Sequence, residues 1–137
     1  MAAAPLLSAP LAAAEASLPQ DLKGRVRHSA CRWCYNKIPL EELCAAARDI
    51  GLESIELVEV KDFPVLAKYG LKCAMVFGVP GGIPQGFNRR ENHDRLLKFY
   101  EEAIPATAAA GHPSIICFSG NRAGMSDDEG LEHCVVG

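Results

Sequence analysis

Three stretches of the chain repeat one arrangement of positions: a glycine, a short turn and a mainly apolar run. They begin at Gly51, Gly70 and Gly111 and continue through residues 52–58, 71–77 and 112–118. A glycine in this place suits the left-handed cap that ends a helix. An apolar run without polar alternation reads as a strand covered on both faces, as in a parallel sheet. Gly24, ahead of residues 26–33, opens a looser fourth copy.

The stretches between these runs have helical spacing. From Pro39, a good first helical residue, Leu40, Leu43, Cys44, Ala47 and Ile50 recur three and four apart and predict one apolar face. Residues 62–69 predict a shorter helix, opened by Asp62 or by Phe63 and Pro64. Residues 91–110 predict a long helix that turns Leu96, Leu97, Tyr100, Ala103 and Ile104 inward. Pro105 is expected to kink it, because proline removes an N–H and crowds the preceding turn. Ser126 with Glu129 three residues on forms a capping box, after which Leu131, Cys134 and Val135 begin a fourth amphipathic helix.

The predicted order is therefore strand, helix, four times over, which implies an α/β fold with a parallel sheet and right-handed crossovers. Two features favour a parallel (β/α) barrel over an open doubly wound sheet. No G-x-G-x-x-G or P-loop follows the first strand, and the longest loops, 78–88 and 119–126, follow strands, where barrels keep their active-site loops. A complete barrel takes about 250 residues. The 137 residues here hold about four βα units, half of a TIM barrel, and the last helix has barely begun where the sequence stops. The expectation is a truncated N-terminal half-barrel over residues 25–137, with residues 17–24 as a linker.

Composition narrows the partners. With 49% hydrophobic residues, 23% charged and a net charge of −3, the chain reads as one soluble globular unit. Lys and Arg are scattered, so neither nucleic acid nor an anionic membrane is expected as a partner. Residues 1–16 differ, being Ala, Pro, Leu and Ser almost throughout with Glu15 as the only charge. Ala14-Glu15-Ala16 has the small-x-small form of a cleavage site, and residues 5–14 resemble the end of an apolar signal region without its basic start. This segment reads as the remnant of a twin-arginine-like export signal and a periplasmic or exported location; the alternative is a disordered Ala-rich tail on a cytoplasmic protein. Nothing approaches the roughly 20 apolar residues of a membrane span.

The six cysteines are Cys31, Cys34, Cys44, Cys73, Cys117 and Cys134. Cys31 and Cys34 form a C-x-x-C, the spacing of a redox pair or of half a zinc site, yet no second pair follows. On an extended strand the two thiols would point to opposite faces. The set is therefore expected to be reduced packing cysteines, which fits the cytoplasm.

The run 27–35, Arg-His-Ser-Ala-Cys-Arg-Trp-Cys-Tyr, followed by 38–44, Ile-Pro-Leu-Glu-Glu-Leu-Cys, is similar to the opening strand and helix of hydroxypyruvate isomerase-like proteins, a family of xylose isomerase-like TIM barrels. Residues 51–57 resemble that family's second strand with its buried glutamate. Gly81-Gly82 beyond the third strand, the 95–111 helix with Pro105 inside it, and residues 118–122, Phe-Ser-Gly-Asn-Arg, fit in order. The resemblance implies a metal-dependent aldose-ketose isomerase or epimerase acting on a small hydroxy-keto acid or sugar, in which a glutamate moves a proton through an enediolate. It also implies a divalent metal such as Mg or Mn in the complete barrel. The family's metal ligands and catalytic glutamates lie on later strands, so no catalytic or metal residue is assigned here, and this chain alone is expected to be inactive. A related endonuclease that cuts at abasic DNA is excluded, because it needs histidines where this chain has Phe77-Gly78 and Ser119-Gly120.

Six residues are candidates for substrate binding. Glu56 is a carboxylate inside an apolar run, which must find partners or face a polar cavity; an ion pair with Arg32 or a nearby Lys is the structural alternative. Arg32, Trp33 and Tyr35 lie at the top of the first strand, where they would line a mouth, although a lone Trp is more often core. Asn121 and Arg122 follow the fourth strand, where the guanidinium could hold a carboxylate or simply be solvated. The glycine-rich segment 78–85 is either a ligand-side lid or a plain loop. His28, His93, His112 and His133 show no metal spacing. The non-catalytic alternative is a half-barrel that forms a homodimer through exposed strand edges.

Overall fold

In the computed structural model, each of the three repeat glycines closes a helix. Helix α1 (Leu40–Asp49), α2 (Phe63–Lys68) and α3 (His93–Ala109) are followed, after one cap residue, by Gly51, Gly70 and Gly111, at φ +81°, +69° and +68°. Each end carries a matched pair of cap bonds: Gly51 N to Arg48 O (3.0 Å) with Leu52 N to Ala47 O (2.8 Å), Gly70 N to Ala67 O (3.1 Å) with Leu71 N to Leu66 O (3.0 Å), and Gly111 N to Ala108 O (2.9 Å) with His112 N to Thr107 O (3.1 Å). These are Schellman caps, in which the left-handed residue turns the chain so that orphan carbonyls are satisfied. The next residue then enters the sheet, which is why the pattern recurs.

The structure describes residues 26–137. The export-signal reading of residues 1–16 and the linker at 17–24 lie outside them. The described residues form a mixed α/β fold whose fourth helix, α4, spans Asp127–Val136. Two strands, β1 (Ser29–Cys31) and β2 (Ser54–Glu56), pair in parallel with Ser29 opposite Ser54, Ala30 opposite Ile55 and Cys31 opposite Glu56. The sheet is open, not closed on itself.

The third and fourth expected strands are reduced to single parallel bridges, Ser54 with Lys72 and Val76 with Ile115. The physical reason lies in what occupies their backbone groups. His112 Nδ1 takes the N–H of Cys73 (3.3 Å), the Ser114 hydroxyl takes the carbonyl of Ala74 (2.7 Å), and Pro113 has no N–H to give. Leu57, at φ +58°, bends the chain sharply just after β2. What remains of the ladder still runs in one direction. Ile55 N donates to Lys72 O (3.0 Å), Leu57 N to Met75 O (2.8 Å), Val76 N to Ser114 O (2.9 Å) and Ile116 N to Val76 O (3.0 Å).

One face of this sheet is covered by helices. Ile55 and Cys73 are buried with Leu43, Cys44, Ala47, Phe63 and Leu66, and Ala30 packs against them. A second cluster joins Val79, Leu96 and Tyr100 with Phe87, Phe99 and Phe118. In α1 the buried stripe is Leu43, Cys44 and Ala47; Ile50 lies at the cap and is exposed. In α3 the buried stripe is Leu96, Tyr100, Ala103 and Thr107, so Leu97 and Ile104 face outward instead of inward. The helix continues past Pro105 to Ala109. Ser126 caps α4 as expected, its hydroxyl accepting the N–H of Glu129 at 3.2 Å, whereas Leu131 and Val135 are exposed.

Candidate functional site

Period-two alternation places the even and odd residues of β2 on opposite faces. Ile55 goes to the helices, and Ser54 and Glu56 go to the other side. There they line a cavity of about 360 Å³ with Ser29, Lys72 and Ala74. Ala74 and Pro113 add apolar surface to this face beside the polar side chains of Ser29, Ser54, Glu56 and Lys72. Glu56 is half-buried and accepts a hydrogen bond from the Ser29 hydroxyl of the neighbouring strand.

The ion pair of Glu56 with Arg32 weighed from sequence does not form. Arg32 sits in a 3₁₀ turn, Arg32–Tyr35, that replaces the strand directly after Cys31, and its guanidinium donates to the carbonyl of Tyr35 at 2.6 Å. Trp33 is 59% exposed and Tyr35 is also exposed, so the lone Trp is not core. Since Cys31 lies opposite Glu56, this turn leaves the sheet beside the carboxylate.

Asn121 and Arg122 belong to a different place. With Asn88, Ser119, Ser126 and Asp127, Arg122 lines a second cavity of about 320 Å³. Arg122 is tied to Asp127, Nε to Oδ1 at 3.1 Å with a second contact from Nη2, so its guanidinium is engaged. Asn121 contributes its carbonyl, which accepts from Asn88 Nδ2 at 2.8 Å. The structure thus leaves Asn121 and Arg122 in a cluster separate from Glu56, and Arg32, Trp33 and Tyr35 do not line the Glu56 cavity.

Asn88 organises that cluster and had no sequence signal beyond lying in a long loop. Its N–H donates to Ser119 O (2.6 Å), and its carbonyl is bonded by His133 Nδ1 (2.9 Å). Gly86 and Gly120 permit this approach: a Cβ on Gly86 would overlap the backbone of Ser119 and Gly120, and one on Gly120 would overlap the Asn88 side chain. The 78–85 segment is fastened from α3, where Arg95 bonds Pro80 O, and Gln85 Oε1 at 3.5 Å.

The thiols divide by environment. Cys44 and Cys73 are buried packing groups, while Cys34 and Cys117 are exposed, and Cys31 and Cys134 lie between. Burial pushes the thiols of Cys44 and Cys73 above their ordinary value. The expected divergence of Cys31 and Cys34 fails, because the strand ends at Cys31 and the 3₁₀ turn brings Cys34 back beside it.

Among the described residues no three His, Cys, Asp or Glu side chains converge as a metal ion requires. Among them, too, no helix is long and apolar enough to cross a membrane. No protein-family model and no curated protein matches this chain.

Proposed function

We propose that this chain is the N-terminal half of a (β/α) barrel isomerase of the hydroxypyruvate isomerase-like kind, acting on a small hydroxy-keto acid or sugar. The observation that carries the reading is Glu56. It is a carboxylate at the end of a parallel strand, turned away from the helices into a cavity that it lines with Ser29, Ser54 and Lys72, and it is held by a hydroxyl and not by a cation. A carboxylate so placed is an acceptor for a substrate hydroxyl. The consecutive order of the parallel segments supports the same reading, since each new segment is added beyond the last, as in a barrel. Doubly wound sheets instead reverse direction at a switch point. The proton transfer itself belongs to glutamates outside this chain.

The test is a titration of the chain with hydroxypyruvate, followed by Trp33 fluorescence and by ligand-observed NMR. Saturable millimolar binding is expected, weakened at least about tenfold in Glu56→Gln, which corresponds to about 1.4 kcal/mol. Absence of binding, or equal binding by the variant, overturns the reading. Turnover to tartronate semialdehyde by the isolated chain with added Mg or Mn is expected to be nil.

A second reading rests on the outer edge of β1, whose partner among the described residues is β2 alone. An open edge can pair with another copy. Sedimentation equilibrium giving a dimer that Lys or Pro substitution at Ala30 disperses would favour a non-catalytic half-barrel scaffold.

A further inference from the structure

The sequence Cys31-Arg32-Trp33-Cys34 crosses from β1 into the 3₁₀ turn, and that crossing decides where its sulfurs go. Cys31 is the extended residue that caps this turn (φ −83°, ψ 120°), and Arg32 and Trp33 between it and Cys34 are 3₁₀, rising about 2.0 Å per residue, which puts the two Cα atoms about 6 Å apart. A disulfide spans Cα separations of about 4.4–6.8 Å. The turn therefore holds the two Cα atoms within the span of a disulfide, and the Cys34 thiol lies close enough to act on that of Cys31. Both are free thiols in this structure.

We propose that Cys31 and Cys34 are a reversible dithiol–disulfide pair that exchanges electrons with low-molecular-weight disulfides. Their exposures assign the order of events. Cys34 is exposed and meets the reagent; Cys31 is half-buried behind it. The Cys34 thiolate attacks one sulfur of a disulfide RSSR, the S–S bond breaks, and one RS⁻ leaves and takes a proton. Cys31 then loses its proton to solvent and attacks the Cys34 sulfur of the mixed disulfide, expelling the second RS⁻. Two protein thiols are oxidised, one RSSR is reduced to two RSH, and the protons balance. Burial, contact with Cys34 and the nearby Glu56 carboxylate push the Cys31 thiol above its ordinary value, against a lowering by the Trp33 backbone. Cys44 and Cys73 are fully buried and do not compete, which leaves Cys117 and Cys134 as the other accessible thiols.

Oxidation would close a small ring around Arg32 and Trp33, and so fix the turn that stands beside Glu56. This inference does not depend on the isomerase reading.

The experiment exploits Arg32. Trypsin cuts after Arg27, Arg32 and Lys37, so the two cysteines fall in different peptides, 28–32 and 33–37. The folded chain is equilibrated with reduced and oxidised glutathione, the free thiols are blocked, and the digest is run without reduction. The expected result is one species in which the two peptides are joined, split by dithiothreitol, with reversible quenching of the lone Trp33 by the adjacent disulfide. Cys31→Ser should trap glutathione on Cys34, and Cys34→Ser should abolish both the joined species and the quenching. Glutathione carried by Cys117 or Cys134 with no joined peptide in the native chain overturns the proposal, as does failure of Cys31→Ser to trap the mixed disulfide. Far-UV circular dichroism of each variant shows that loss of signal is not loss of fold.

Discussion

The backbone N–H of Cys73 donates to His112 Nδ1 at 3.3 Å, so a side chain from the turn after α3 takes the place of a ladder partner in the third sheet segment. The bond requires a bare Nδ1 and hence a neutral ring. His112 is buried, lies edge-to-face on Phe63 with centroids 4.4 Å apart, and has no hydrogen-bond partner for Nε2 among the described residues. Burial first, and Lys72 second, hold its pKa below the ordinary histidine value. The unfolded chain therefore binds a proton more readily than the folded one. The stability tied to this group is present above about pH 6.5 and is lost as pH falls through and below that value. Urea unfolding at pH 7.5 and 5.5 should show the loss. His112→Asn keeps an acceptor near Nδ1 but does not titrate, and its loss over the same interval should be smaller; an unchanged pH dependence would refute the assignment.

The phase of α3 is open to a paired test. Leu96 is 0% exposed and Leu97 is 43% exposed, although both are leucines and adjacent. Leu96→Ala removes buried methyls from the cluster with Val79 and Tyr100, and should cost roughly 2–5 kcal/mol. Leu97→Ala should cost less than about 1 kcal/mol, because exposed substitutions change little. Equal losses in chemical denaturation would mean that the helix is rotated from the position described.

That pair also shows what a sequence can and cannot disclose. Local signals survived: the glycine caps at Gly51, Gly70 and Gly111, and the Ser126 cap, all depend on residues within one turn of each other. The α3 stripe was misplaced because Leu97 and Ile104 are apolar while the buried position after Ala103 is Thr107, a polar residue. Ridges of apolar residues on two adjacent faces leave the phase undetermined until the partner surface is known. The environment of Glu56 was legible only as a question, since its partner Ser29 stands 27 residues away. Arg122 looked free because its partner Asp127 belongs to the capping box of the next helix. The third and fourth strands were overread because apolar runs record burial, whereas the strand ladder depends on which backbone groups His112, Pro113 and Ser114 have already claimed.

The cap of α4 supplies a local prediction. Ser126 accepts the Glu129 N–H at 3.2 Å, and Asp127, Asp128 and Glu129 place negative charge at the helix start. Ser126→Ala leaves that donor to water and should destabilise by about 1 kcal/mol, with Ser126→Asp close to the native value. Because α4 also carries Cys134 and His133 against the 119–121 segment and Asn88, the loss should appear as faster amide exchange at Asn88 as well as within the helix.

At the opposite end of the pH scale, Tyr100 carries the prediction. Its hydroxyl donates to Ile116 O at 2.8 Å, fastening α3 to the fourth sheet segment. Burial, with a smaller part from Cys117, pushes its pKa up to about 12 from an ordinary 10. A raised folded-state pKa means that the unfolded chain releases the proton first. The stability this phenol provides is complete below about pH 10 and is lost as pH rises through about 12. Tyr100→Phe removes the titration and one buried hydrogen bond, leaving the Ile116 carbonyl without its donor; the expected cost at neutral pH is about 1–3 kcal/mol. Its unfolding free energy should then fall less steeply between pH 9 and 11 than that of the native chain. Titration of phenolate absorbance near 295 nm separates this from general alkaline unfolding: one tyrosine should ionise only as the fold is lost, and in Tyr100→Phe that late step should vanish. Three phenols that all ionise together ahead of unfolding would show that the Tyr100 hydroxyl is not buried against Ile116.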